Sequence, residues 1–227
     1  MNKVTAFLPM RKGSDRVKNK NIREFAGISG GLCFIKISQL LKVKSISQIV
    51  VSTNDDDIKK LALSFDSDRL VIDERSEELS SSYTSTDDLI NYVPNIIASG
   101  VVLWTHVTSP FLDECAYENI INQYFENLNS NDSLMSVTKV RKFFWNHSGP
   151  LNYNRLAEKW PRTQTLSPIF EINSGAFVAD IEIYKKFSDR IGDNPYLHAI
   201  EDREAFDIDW ELDFEIAELM WRKYGRL

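Results

Sequence analysis

The sequence predicts an α/β domain on a mainly parallel sheet with helices over both faces. Short β-rich apolar runs alternate with helical periods of about ten residues, the rhythm of βαβ crossovers. A glycine-bearing, cation-dense loop follows the first apolar run, and open α/β sheets bind ligands beyond the carboxyl ends of their strands. The rhythm and the loop place a site at the same end of the sheet.

The elements follow in order. Residues 4–8 read as a first strand, and residues 32–41 as a helix with Leu32, Ile35, Ile37, Leu40 and Leu41 broadly on one side. Residues 49–52 (IVVS) form a buried strand, 56–64 a helix, 70–72 a short strand, 87–98 a helix, 101–105 a strand, 114–128 a helix and 134–140 a strand. After Val140 neither period persists. Residues 141–172 carry Arg141, Lys142, His147, Gly149, Pro150, Pro161 and Pro168, which predicts a long excursion with its own short strands or a partner-binding arm. The β-rhythm returns at 176–179, and residues 211–224 read as a final helix. No repeat or low-complexity linker interrupts the chain, so residues 1–227 are expected to form one domain with an arm at about 141–172.

Composition narrows the partners. The chain has 227 residues, enough for one substantial core. With 27 Lys and Arg against 33 Asp and Glu, neither nucleic acid nor an anionic membrane is expected as a main partner. Cys33 and Cys115 lack metal-ligand spacing and read as buried free thiols. His147 and His198 show no metal-ligand spacing either. No leader-like segment and no apolar run of about 18 residues is present, so a cytoplasmic protein is expected.

The loop is the most informative stretch: Leu8-Pro9-Met10-Arg11-Lys12-Gly13-Ser14-Asp15-Arg16-Val17-Lys18-Asn19-Lys20-Asn21. Backbone N–H groups around Gly13 and Ser14 can face phosphate oxygens while Arg11, Lys12, Arg16, Lys18 and Lys20 supply charge. It is neither a Walker A loop nor a dinucleotide-binding turn. Far along the chain, Phe206-Asp207-Ile208-Asp209 offers a second constellation. If residues 205–208 end a strand, the two-residue period places Asp207 and Asp209 on one side, able to share a hard cation with substrate phosphates. The simpler reading makes Asp209 the N-cap of the final helix and Asp207 a solvated carboxylate.

Together these stretches resemble the sugar-activating cytidylyltransferases, the family of CMP-sialic acid synthetases and their relatives acting on other nonulosonic acids. Pro9, Arg11, Gly13, Ser14, Arg16, Lys20 and Asn21 match the signature P-A-R-x-G-S-K-R-x-P-x-K-N, while Met10, Asp15 and Lys18 depart from it. Phe206-Asp207-Ile208-Asp209 matches the family's metal-binding I-D-I-D. Val51-Ser52-Thr53-Asn54-Asp55 resembles V-S-T-D-D, and Thr108-Ser109-Pro110 the end of Q-P-T-S-P, with His106 where the relatives keep Gln. The resemblance implies a Rossmann-like three-layer α/β/α fold, CTP as co-substrate with Mg²⁺, and a homodimer that uses the 141–172 arm as its dimerisation contact. It also implies roles. Arg11 and Lys20 neutralise phosphates, Asp207 and Asp209 hold the metal, and Gly13, Ser14, Asn21 and Asn173 hold the nucleotide.

Further roles follow from the same resemblance. Arg75, Thr84 and Thr86 lie near the base, although the hydroxyl-rich run 80–86 also reads as a polar loop capping the next helix. His106 contacts the acceptor as a binding group rather than a general base, and Arg162 reaches across the homodimer toward the neighbour's acceptor. The implied reaction joins CMP to an anionic sugar acid and releases pyrophosphate. A phosphorylated or phosphonate acceptor is an alternative, since His106, Lys12, Lys18, Lys139, Arg141 and Lys142 supply more positive charge than one carboxylate needs. A nucleotide-binding protein without turnover is another.

Overall fold

Strand β1 (Val4–Met10) lies between β2 (Ile46–Thr53) and β4 (Val101–Trp104), parallel to both, in the computed structural model, which describes residues 3–14 and 16–227. The remaining strands of the main sheet are β3 (Leu70–Glu74), β5 (Ser133–Val140), β8 (Ile169–Asp180) and β9 (Pro195–Ala199), and the order is β3-β2-β1-β4-β8-β5-β9. Only β8 runs antiparallel to its neighbours β4 and β5. Strand β1 extends two residues beyond its predicted end, through Pro9. The N–H that proline lacks would face β4, whose pairing stops at Phe7 opposite Trp104, so nothing is lost.

The strand period sorts side chains into two cores. Ala6, Leu8, Ile49, Val51 and Leu103 face helices α1 (Gly31–Lys42), α2 (Asp56–Leu63), α4 (Glu114–Asn127) and α6 (Glu211–Tyr224). Phe7, Val50, Val102 and Trp104 face α3 (Thr86–Ile96) and α5 (Ile181–Phe187) on the other side. This is the expected three-layer α/β/α arrangement. From β1 the chain steps outward through β2 to β3, then crosses back to β4 on β1's other side. The gap beyond β1 and β4 is therefore the topological switch point, where such sheets open a crevice.

The structure departs from the sequence reading at particular places. Residues 205–208 form no strand: Ala205 N–H bonds to Glu201 O at 2.9 Å, and Ile208 N–H bonds to Thr108 O at 3.0 Å. The alternation that suggested a strand has another cause, since Ile208 is buried in the core and Phe206 packs edge-on against Phe111. Asp209 does not cap α6. The Asp213 carboxylate accepts from the backbone N–H groups of Asp209 and Trp210 at 3.1 and 2.7 Å. Cys115 is exposed, because the buried stripe of α4 runs through Tyr117, Ile120, Ile121 and Tyr124 and residue 115 lies off it; Cys33 is buried as expected. Both α5 and β9 escaped the sequence reading. Within the predicted arm lie only a hairpin, β6 (Trp145–Asn146) with β7 (Gly149–Pro150), and a short 3-10 turn at Thr163–Thr165, before β8 begins.

Candidate active site

A cleft of about 390 Å³ opens at the switch point. One wall is the loop after β1, contributing Arg11, Gly13, Ser14, Arg16, Lys20 and Asn21; the other is the segment after β4, contributing His106, Val107 and Thr108. The loop is shaped by its own sequence. Gly13 sits at φ +75°, a left-handed conformation that costs glycine little. Val17 is fully buried and pins the loop, and Lys20 N–H bonds back to Val17 O at 3.3 Å. The Asn21 side chain donates to Arg11 O at 3.1 Å. On the outer side, Lys12 N–H bonds to Asn54 Oδ1 at 2.8 Å, so the amide standing in the family's acidic position tethers the loop to the end of β2.

Lys20 joins the loop to the distant carboxylates. It is 9% exposed, and its Nζ donates to Ile208 O at 2.7 Å, between Asp207 and Asp209. Burial lowers its pKa, and the charges of Asp209 and Asp207 oppose that shift. Arg16 Nη2 meets Asp209 Oδ1 at 2.7 Å. The carboxyl of Asp207 is raised above its ordinary range, chiefly by burial, with a Thr108 hydrogen bond and the Lys20 charge working the other way and Asp209 adding to the rise. Asp207 Oδ1 is buried and has no hydrogen-bond partner. A buried carboxylate oxygen without a donor is costly unless a ligand completes it.

His106 is neutral. Burial, followed by the positive charges of Arg190, Lys20 and Lys36, pushes its imidazole down to about 3. Its Nε2 accepts from the Trp104 indole N–H at 2.9 Å, which assigns the ring proton to Nδ1. The segment carrying His106 and Thr108 is held from beneath by Lys36, a buried lysine absent from the sequence reading. Its Nζ donates to Ser109 O at 2.8 Å, Leu112 O at 3.0 Å and Tyr117 Oη at 2.8 Å. Tyr117 in turn bonds Thr105, which donates to Gly175 O at 2.8 Å. Nothing in a sequence distinguishes such a lysine from a solvated one on the polar face of α1.

The remaining sequence-assigned residues lie apart from this cleft. Arg75 follows β3 at the same end of the sheet and is 5% exposed, with its Nε donating to Ser80 Oγ at 3.1 Å. Burial lowers its pKa, Asp73 opposes that and the Arg11 charge adds to it, so the two guanidinium groups sense each other. Thr84 Oγ1 donates to Glu78 O at 2.9 Å, Ser85 caps α3 through Asp88, and Thr86 is exposed in its first turn. The helix-capping alternative for this run therefore describes its local structure. Asn173, on β8, is fixed by Ser136 and Thr138 of β5. Arg162 is exposed and precedes the 3-10 turn.

The family model described as Cytidylyltransferase matches residues 5–186. An N-acylneuraminate cytidylyltransferase of Escherichia coli is 24% identical over 99% of this chain, which spans only 53% of that protein's length. A pseudaminic acid cytidylyltransferase of Campylobacter jejuni is 27% identical over 77% of each chain. Among solved structures, a CMP:2-keto-3-deoxy-manno-octonic acid synthetase complexed with CTP superposes with a TM-score of 0.68 at 12% identity, covering 97% of this chain and 99% of that one. A 4-diphosphocytidyl-2C-methyl-D-erythritol synthase from Anaerococcus prevotii gives 0.64 at 15% identity, covering 98% and 97%. At these identities the structural likeness concerns the fold.

Proposed function

Because the chain belongs to the cytidylyltransferase family, we propose that it activates an anionic sugar acid of the sialic or nonulosonic type as its CMP derivative. CTP is the donor and pyrophosphate the product. The observation that carries this reading is the meeting of the Arg11–Asn21 loop with Asp207 and Asp209 at the switch point, bridged by Lys20 and Arg16.

In this reading the triphosphate lies along the loop after β1, with backbone N–H groups near Gly13 and Ser14 on its oxygens. Arg11 and Lys20 balance charge that moves onto the leaving pyrophosphate as the acceptor hydroxyl attacks the α-phosphorus and the bond to the β-phosphate oxygen breaks. The acceptor proton passes to solvent or phosphate, since His106 is already depressed too far to serve as an efficient base near neutrality. Arg75, Thr84 and Thr86 would face the base, Asn21 and Asn173 would help hold the nucleotide, His106 would offer its Nδ1–H to the acceptor, and Arg162 would reach across the dimer toward the acceptor of the second copy.

The donor set suits Mg²⁺. Two carboxylates, one with an orphaned buried oxygen, match an ion that takes one or two protein carboxylates and completes its shell with phosphates and water. Among the described residues no cluster of three or more His, Cys, Asp or Glu competes as a metal cage. Asp207 and Asp209 would hold the ion, which when bound supplies positive charge at the phosphates. The same reading makes the protein a homodimer joined through the 141–172 arm, whose exposed Trp145, Leu156 and Trp160 suit burial against a second copy. A neutral His106 removes one of the charges that favoured a phosphorylated acceptor.

The experiment is pyrophosphate release from CTP with Mg²⁺ and a panel of nonulosonic, phosphorylated and phosphonate acids. Release with a nonulosonic acid supports the proposal. Release only with another acid class, or none with any, overturns it.

A further inference from the structure

Helix α1 carries the turn that follows β4. Of the turn's backbone carbonyls, those of Ser109 and Leu112 accept from Lys36 Nζ at 2.8 and 3.0 Å, and that of Pro110 accepts from Gln39 Nε2 at 2.7 Å. Both donors stand on one face of α1, a helical turn apart. Lys36 is fully buried and forms no ion pair among the described residues. Burial lowers its pKa well below the ordinary lysine value, and only the charge of Asp113 opposes the shift.

The direction of the hydrogen bonds nevertheless fixes its protonation state. Thr105 Oγ1 gives its one proton to Gly175 O at 2.8 Å, so in the 2.6 Å contact between Thr105 Oγ1 and Tyr117 Oη the phenol is the donor. Its proton is then spent. At its 2.8 Å contact with Lys36 Nζ, Tyr117 Oη therefore accepts, and Lys36 donates to two carbonyls and one phenol. An amine has too few hydrogens for these bonds; an ammonium has enough.

The same turn holds the carboxylates. Thr108 O accepts from the Ile208 N–H at 3.0 Å, while Ile208 O accepts from Lys20 Nζ at 2.7 Å, so the backbone between Asp207 and Asp209 is gripped on both sides. Near the other end of α1, Cys33 N–H bonds to Asn21 O of the loop after β1 at 2.8 Å. One helix thus ties the loop to the turn that grips the carboxylates.

We propose that Lys36 is a positioning residue for the metal site: its buried ammonium locks residues 108–112 to α1 and so sets the spacing between the loop after β1 and Asp207 with Asp209. The inference rests on the metal assignment given above and deepens it. If residues 108–112 loosen, Thr108 O no longer fixes Ile208, and the carboxylates drift relative to the loop. Mg²⁺ demands a near-octahedral shell, so this displacement falls on metal affinity before it falls on nucleotide affinity.

The test reads binding without turnover, using CTP, no acceptor, and Mn²⁺ in place of Mg²⁺. Water-proton relaxation separates the protein-bound ion from Mn²⁺ held by CTP in solution. Lys36→Met keeps the length of the side chain but donates nothing, and it should weaken Mn²⁺ binding to the CTP complex roughly ten- to a hundred-fold. Calorimetric affinity for CTP without metal should stay within about twofold, because the loop's own hydrogen bonds are untouched. Unchanged Mn²⁺ affinity, or equal losses for Mn²⁺ and CTP, overturns the positioning role. Should Lys36→Met fail to fold, Tyr117→Phe removes one acceptor from the same ammonium and should weaken Mn²⁺ binding by a smaller factor; no change overturns the role. In wild type carrying isotopically labelled lysine, nitrogen magnetic resonance at neutral pH should show a slowly exchanging ammonium that Tyr117→Phe shifts, and a neutral amine there overturns the assignment. Absence of Mn²⁺ binding to the wild-type CTP complex overturns the metal assignment together with this role. Lys36-dependent Mn²⁺ binding without pyrophosphate release on any acid supports the role and overturns the proposed activity.

Discussion

Acid should destabilise this protein through His106, and the size of the effect follows from its surroundings. The imidazole has an ordinary pKa of 6.5 and is held at about 3 in the fold by burial and by the charges of Arg190, Lys20 and Lys36. Above about pH 6.5 the ring is neutral in both folded and unfolded chains and contributes no pH dependence. As pH falls below that value the unfolded chain takes up a proton that the folded chain refuses, so stability drops until the folded ring itself titrates near 3. Each unit of that window is worth about 1.4 kcal/mol, giving at most about 2.7 kcal/mol at about pH 4.5, or about 2 kcal/mol once the ring edge open to the cleft is allowed for. His106→Gln removes this term while its side-chain oxygen can still accept from Trp104. Denaturant unfolding of wild type and His106→Gln at neutral pH and at about pH 4.5 isolates it, because His147 and His198 are common to both proteins. The variant should lose about 2 kcal/mol less on acidification, equivalent to roughly 4 to 8 °C in melting temperature for a chain of this length. Identical losses in the two proteins, or a magnetic-resonance titration of His106 near 6.5, would refute the electrostatic picture of this wall of the cleft.

Three further outcomes are expected. Asp207→Asn and Asp209→Asn should each lower pyrophosphate release by roughly 100- to 1,000-fold, while Asp207→Asn, by removing a charge that burial opposes, should leave the melting temperature equal or higher; turnover near the wild-type rate in both would sink the metal assignment. Lys20→Met and Arg11→Ala should each cost about 2–4 kcal/mol of transition-state stabilisation, measured as kcat/KM for CTP, and unaffected kinetics would mean the phosphates lie elsewhere. Lys36→Met removes a donor from Leu112 O and from Ser109 O, and since Ser109 O keeps the Leu112 N–H, a loss of about 1–3 kcal/mol is expected for the one carbonyl left unsatisfied; a variant as stable as wild type to urea would show that Leu112 O found another partner.

The legible parts of this fold were those with a period. Strands apolar on both faces and helices with a buried stripe were readable because burial imposes the pattern directly, and α6 occupies the residues the pattern gave it. The same logic misled at residues 205–208, where Phe206 and Ile208 alternate with polar neighbours yet are buried separately from a turn. Two short elements, α5 and β9, span too few residues for a period to rise above their polar flanks. At the site, the loop cations and Asp207 and Asp209 announced themselves by order and spacing. Lys36 did not, because its meaning lies in burial against carbonyls more than 70 residues away.

The hydrogen bond from Lys20 to Ile208 spans 188 residues. Its neighbours repeat the connection: Arg23 pairs with Glu211, Ala26 N–H bonds to Glu218, and Phe25 packs against Phe214 and Trp221. During synthesis the cation-bearing loop therefore emerges long before the carboxylates it meets in the fold. An unfinished chain carries cations able to attract nucleotide but lacks Asp207 and Asp209, and closing so long a loop comes late and slowly in folding. Competence and completeness are thereby coupled: the contact that assembles the site also records that α6 has docked.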